Sequence, residues 1–185
     1  MLETQLDAPL PDVPSQHLQI RRLRLTALHT VHLKRDLPAE ADTLALGAAL
    51  AGALESGTVV YLEGPLGAGK TTLARGILRG LGYTGRVKSP TFTLVEVYEV
   101  SSLHLYHFDF YRFDEPRELA DAGLREYFGG DAVALIEWPE KASGLPAPDV
   151  EIKIEATDAG RTAELHANTE VGRRCLTRLM QSRTP

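Results

Sequence analysis

Apolar and polar positions along the chain fall into short runs whose period switches between helix and strand. Val59-Val60-Tyr61-Leu62-Glu63 is a near-continuous apolar run between Gly57 and Gly64, as in a buried strand. Ala132-Val133-Ala134-Leu135-Ile136 is a second run, of the kind found in a central strand. Leu44, Leu46, Leu50 and Leu54 recur near helical spacing among alanines, which predicts a helix over residues 38–54. Leu73, Ile77, Leu78 and Leu81 share one face of a predicted helix over 71–81, closed by Gly82. Residues 93–100 and 103–110 read as strands, and Ser101-Ser102 between them predicts a tight hairpin. Residues 116–128 predict a short helical segment, interrupted by Gly123. Two alternating segments, 150–155 and 162–167, are joined by a turn at Asp158-Ala159-Gly160. Residues 171–180 predict a closing helix. Within 18–35, Leu23, Leu25, Val31 and Leu33 alternate, which predicts an edge strand with a solvated basic face. Residues 1–20 hold Pro9, Pro11 and Pro14 and show no period.

Strands alternating with helices predict an α/β fold, and the hairpins make its sheet mixed rather than purely parallel. With 185 residues, 43% hydrophobic and 24% charged, the chain suits one packed domain of ordinary size. The expected division is a weakly structured N-terminal extension over 1–35 and a folded domain over 36–185. A net charge of -5 excludes a surface that binds nucleic acid all over. It leaves room for a local basic patch, and Arg21, Arg22, Arg24, Lys34 and Arg35 lie in a stretch without acidic residues. The lone Cys175 excludes an internal disulfide and suits a small apolar position in a reducing compartment. No run approaches the roughly 20 apolar residues of a bilayer span. Acidic residues stand where a signal peptide would be basic, so a soluble cytoplasmic protein without membrane association is expected.

One motif carries chemistry by itself. Gly64, Pro65, Leu66, Gly67, Ala68, Gly69, Lys70 and Thr71 match the phosphate-binding pattern G-x-x-x-x-G-K-[ST] at every fixed position. An apolar strand runs into the loop and an amphipathic helix runs out, as that chemistry requires. The glycines let the backbone wrap closely and turn N–H groups inward, toward an anion at the helix N-terminus. Lys70 adds a mobile charge for the β- and γ-phosphates. Thr71 offers a hydroxyl to Mg²⁺, which prefers oxygen ligands. Thr72 is placed for the α-phosphate. A plain glycine turn needs neither the lysine nor the threonine. The fold so predicted is a P-loop NTPase-like three-layer sandwich with a mixed central sheet.

The nucleotide expected is ATP, since the chain lacks the Asn-Lys-x-Asp guanine motif and the Asp-x-x-Gly switch. Phosphoryl transfer needs positioning and charge stabilisation, and two carboxylates end plausible buried strands: Asp109 and Glu137. Spacing alone does not rank them. Lys88-Ser89-Pro90-Thr91-Phe92-Thr93-Leu94 lies where nucleotide-sensing switches sit, and Thr91 is placed to reach magnesium or the γ-phosphate. Read plainly, it is a Ser-Pro turn entering a strand.

Four stretches, at 64–72, 87–95, 106–112 and 135–140, together resemble the TsaE (YjeE-type) family of bacterial tRNA threonylcarbamoyladenosine biosynthesis. They are the P-loop, Val-Lys-Ser-Pro-Thr-Phe-Thr-Leu-Val, Tyr-His-Phe-Asp-Phe-Tyr-Arg and Leu-Ile-Glu-Trp-Pro-Glu. The resemblance covers about residues 36–167. It implies ATP and Mg²⁺ as cofactors and a slow ATPase. It also implies TsaB and TsaD as partners in placing a threonylcarbamoyl group on adenosine 37 of tRNAs reading codons that begin with A. Contact with tRNA is then expected to be indirect, through that complex. By position, Lys70 and Thr71 serve phosphate and metal, and Glu137 belongs to the magnesium site. Asp109 orients or activates the attacking water, and Thr91 is a switch residue. Thr43 is expected near the adenine, and Trp138 near the switch or partner face. Two rival readings remain. One is a small-molecule P-loop kinase, with Arg112 and Arg117 available over the phosphates. The other is a nucleotide-dependent interaction module whose hydrolysis is incidental.

Overall fold

A computed structural model describes residues 31–100, 103–128 and 130–182. Their strands are β1 (His32–Leu37), β2 (Val59–Glu63), β3 (Val95–Val100), β4 (Leu103–Asp109), β5 (Val133–Glu137), β6 (Val150–Thr157) and β7 (Gly160–Ala167). All hydrogen-bond into one sheet in the order β1-β7-β6-β2-β5-β4-β3. The four inner strands β6, β2, β5 and β4 are parallel, and both edges are closed by antiparallel partners. The carboxyl ends of β2, β4 and β5 therefore meet at one edge of the sheet, where open α/β sheets bind ligands.

Strand alternation sorts the side chains into two cores. Val133 and Leu135 of β5 pack with Leu50 of α1 (Glu40–Ala51), with Leu73 and Ile77 of α2 (Lys70–Gly80), and with Leu176 of α4 (Glu170–Gln181). Ala134 and Ile136 face the opposite way, into an aromatic core with Phe108, Phe110, Phe113 and Leu119. That second layer is thin: α3 (Glu118–Asp121) has four residues and is followed by a 3-10 turn, Leu124–Tyr127. Over β1, β7 and β6 the same face carries polar side chains, among them Lys34 bonded to Glu164 at 2.9 Å.

Three expectations need adjustment. The segment 116–128 breaks into α3 and a 3-10 turn because Gly123 takes φ 69°, which a right-handed helix excludes. The strand expected from residue 93 begins at Val95, after Leu94 at φ 64°. The strand expected within 18–35 is present as β1, and it runs across the boundary set between 35 and 36. Its earlier part, the proline-rich start and the Ser101-Ser102 turn lie outside the described residues.

Two close approaches fix the layers. Ala39 caps α1, and its N–H donates to Asp42 Oδ2 at 2.8 Å. Helices α1 and α2 then cross at Gly47 and Gly76. A Cβ on Gly47 would lie 2.5 Å from the Leu73 carbonyl oxygen, and one on Gly76 would lie 2.5 Å from that of Leu44.

Candidate nucleotide- and metal-binding site

The loop between β2 and α2 needs its glycines for stated reasons. Gly64, Gly67 and Gly69 take φ of 132°, 78° and 111°, all outside the range an L side chain adopts freely. A Cβ on Gly64 would stand 2.1 Å from the Ile154 carbonyl oxygen of β6. The loop wraps the N-terminus of α2, whose first-turn N–H groups lack helical partners. Ala68 is buried in the core beneath it, while Leu66 at the tip is 72% exposed.

Lys70 lies folded back on this loop. Its Nζ donates to the carbonyl oxygens of Gly64 at 2.6 Å and Pro65 at 3.0 Å. The same ammonium sits 3.9 Å from the centre of the Trp138 ring. Burial lowers its pKa, against the opposing pull of Glu137, Asp109 and Glu140.

The β4–β5 register places Asp109 directly beside Glu137. Alternation sends His107, Asp109, Leu135 and Glu137 to the α2 side of the sheet. There, Thr71 Oγ1 donates to Glu137 Oε1 at 2.9 Å, and His107 Nε2 lies 2.8 Å from the same oxygen. Asp109 is engaged differently. Its Oδ2 accepts from Ser89 Oγ and Thr91 Oγ1, both at 2.6 Å, and its Oδ1 accepts from the Tyr111 N–H at 2.9 Å. The two hydroxyl oxygens also lie 2.6 Å from each other. The Ser-Pro-Thr-Phe segment is thus clasped onto Asp109.

A cleft of about 370 Å³ joins these parts. Leu66, Gly67, Gly69, Lys70, Thr71 and Thr72 form its loop wall, and Ser89, Thr91, Asp109 and Glu137 form the facing wall. The donor set fits magnesium with a polyphosphate. A hydroxyl and two carboxylates would supply oxygen ligands directly or through water. Thr71 spends its proton on Glu137, which leaves its lone pairs for a cation.

Some expected residues stand apart. Gly64 and Pro65 line a neighbouring groove with Glu63, Trp138, Glu140 and Lys153. Thr43 is fully buried beneath Gly69, and its hydroxyl has no hydrogen-bond partner. It is not among the residues of the cleft wall. Trp138 takes φ 59° and separates the two hollows, half-buried, with Tyr111 at 5.1 Å between ring centres. Arg112 stacks at 3.8 Å over the ring of Phe92, which is 80% exposed.

Arg161, Ser89, Tyr111 and His107 were not singled out from the sequence. Arg161 belongs to the β6–β7 hairpin and reaches the cleft beside Gly69, which lies 92 positions earlier in the chain. Nothing local marks it, because only the return of β7 along the sheet brings it there. His32, Glu164 and His166 bring ligand atoms within 4.8 Å of one another on the open polar face, where the Lys34 ammonium already holds Glu164. Among the described residues, no helix is long and apolar enough to cross a membrane.

A mixed α/β sheet with a strand–P-loop–helix unit, a loop lysine and threonine, and a strand-end carboxylate at the threonine define a P-loop NTPase-like α/β fold. The family model for "Threonylcarbamoyl adenosine biosynthesis protein TsaE" matches residues 37–164, and the chain belongs to that family, which serves tRNA threonylcarbamoyladenosine biosynthesis. Among curated relatives, the Haemophilus influenzae tRNA threonylcarbamoyladenosine biosynthesis protein TsaE is 51% identical over 120 residues, covering 64% of this chain and 76% of its own. The Nostoc protein of the same name is 40% identical over 129 residues, covering 67% and 79%. The crystal structure of Bacillus subtilis YdiB superposes with a TM-score of 0.71 at 32% identity, covering 84% of this chain and 98% of that one.

Proposed function

We propose that this chain binds ATP with Mg²⁺ in the P-loop cleft and hydrolyses it slowly. In this reading it acts with TsaB and TsaD in forming the threonylcarbamoyl group on adenosine 37 of tRNAs reading codons that begin with A. The observation that carries the reading is the convergence of Lys70, Thr71, Glu137 and Asp109 on one cleft. Membership of the TsaE family supports the process.

The residues divide the work as follows. The α2 N-terminus and the loop N–H groups hold the phosphates. Lys70 exchanges the Gly64 and Pro65 carbonyls for β- and γ-phosphate oxygens. Thr71 and Glu137 would hold magnesium, which would supply charge neutralisation for the phosphates. Thr71 keeps its proton on Glu137 while its lone pairs face the ligand. Asp109 has its Oδ2 occupied by Ser89 and Thr91, so it orients an attacking water only after that clasp loosens. Drawing Thr91 toward the γ-phosphate would loosen it, which makes the clasp a nucleotide sensor.

The test pairs two variants. Lys70→Ala is expected to lose ATP binding. Asp109→Asn is expected to bind ATP within a few-fold of the parent while turnover falls about 10²–10⁴-fold. Radiolabelled ATP should release phosphate to water; a labelled metabolite would establish the kinase instead. Full tRNA modification by Asp109→Asn in a complementation assay would leave the interaction module, with hydrolysis dispensable.

A further inference from the structure

His107 is fully buried in the middle of β4, and its Nδ1 has no hydrogen-bond partner. An apolar side chain would fill this place between sheet and α2 without stranding a polar atom. The other nitrogen is engaged: Nε2 lies 2.8 Å from Glu137 Oε1. That distance assigns the proton to Nε2, since a carboxylate oxygen only accepts. In the neutral ring, Nδ1 is then an unpaired acceptor rather than an unpaired donor.

The hydrogen bond sits at a decisive place. Thr71 Oγ1 donates to the same oxygen at 2.9 Å. Both bonds that described side chains make to Glu137 end on Oε1, which leaves Oε2 to the cleft the residue lines. Glu137 is the last residue of β5, and only 3% of it is exposed. Without His107, one hydroxyl from the first turn of α2 would hold the carboxylate. With it, a donor fixed in the neighbouring strand sets the carboxylate plane before any ligand arrives.

We infer that His107 is a positioning residue: its Nε2–H locks the Glu137 carboxylate so that Oε2 and the Thr71 hydroxyl form a prearranged metal face. This rests on the nucleotide–metal reading above. Outer partners of metal-binding groups typically change metal affinity about 10–100-fold when removed. His107 acts through Glu137 and touches no substrate.

Two polar substitutions separate positioning from packing. In His107→Gln the amide nitrogen can stand where Nε2 stood. In His107→Asn it stands nearer the backbone, at the Nδ1 position, and falls short of Glu137. Calorimetric titration of ATP is done for each with Mg²⁺ and with EDTA. For His107→Asn, the affinity gained from Mg²⁺ should shrink about 10–100-fold, while affinity in EDTA stays within about two-fold. His107→Gln should retain most of the gain. An unchanged Mg²⁺ gain in His107→Asn overturns the inference. So does an equal loss with and without metal that follows the melting temperature, because that is packing alone. Should the variants fail to fold, nitrogen-15 NMR of histidine-labelled wild type decides. It should show an Nε2–H tautomer for His107; an Nδ1–H tautomer overturns the assignment. Wild type that binds no ATP would refute the proposed function itself, a separate result from wild type and His107→Asn responding alike to Mg²⁺.

Discussion

Lys70 shows how much of this site is decided by single side chains. Its side chain is buried, and its ammonium is shared between two loop carbonyls and the Trp138 ring. Burial therefore holds its pKa below the ordinary lysine value. The folded pKa is lower than the unfolded one, so the unfolded chain binds more protons between the two. Stability contributed by this group rises with pH across that window and is flat below it. Ligand binding has the opposite sign. Phosphate oxygens favour the charged form, so under the proposed function ATP affinity should be constant near neutrality and fall as pH rises through the free-protein pKa. The alkaline loss should appear earlier than an ordinary lysine permits, and Lys70→Arg should remove it, since the guanidinium stays charged. Fluorescent-nucleotide titrations from pH 7 to 10 measure this; an identical decline in the arginine variant would count against Lys70 as its source.

At the level of elements, the contact between α1 and α2 is the most exposed to a small change. Gly47 and Gly76 bring the two backbones together, and a Cβ on Gly76 would meet Leu44 oxygen at 2.5 Å and the Gly47 Cα at 3.1 Å. Alanine in place of a mid-helix glycine ordinarily stabilises by up to about 1 kcal/mol. Here the overlap is with backbone, which cannot rotate away, and overpacking costs roughly 1–3 kcal/mol. Gly76→Ala is thus expected to lower stability by about 1–2 kcal/mol in urea unfolding; a gain would mean the helices separate freely. This contact also shows where sequence reading stops. The spans of β2, α2, β5 and the β6–β7 hairpin were legible because each has its own period and its own terminating glycine or turn. The P-loop was legible because its residues are consecutive. The Asp109–Glu137 neighbourhood depends on strand register, the Ser89–Thr91 clasp on loop conformation, and Arg161 on the return path of β7. None of these leaves a local signature. Leu66, Gly67, Gly69, Lys70, Thr71 and Thr72 line one cleft with Thr91, Asp109 and Glu137, while Gly64 and Pro65 line the neighbouring groove.

Across the whole molecule, the cleft is a junction between parts that are otherwise held separately. β2 and α2 supply the phosphate loop, β4 and β5 supply the carboxylates, the 88–94 segment supplies the clasp, and the β6–β7 hairpin supplies Arg161. A ligand spanning them is present only in the folded state, so its binding free energy adds to stability. At about 100 times its dissociation constant, Mg·ATP should contribute about 2.7 kcal/mol. For a domain of this size that corresponds to a rise in Tm of roughly 5–10 °C. The series of controls matters more than the shift itself. Lys70→Ala should abolish it if, as proposed, the lysine and loop hold the phosphates. EDTA should reduce it, because the Thr71–Glu137 face then has no cation to engage. GTP at the same concentration should give less, if the cleft prefers adenine. Differential scanning fluorimetry at millimolar nucleotide reads all four conditions on one plate. No shift with Mg·ATP would remove the nucleotide reading for the isolated chain. A full shift in Lys70→Ala would place the nucleotide elsewhere than the P-loop.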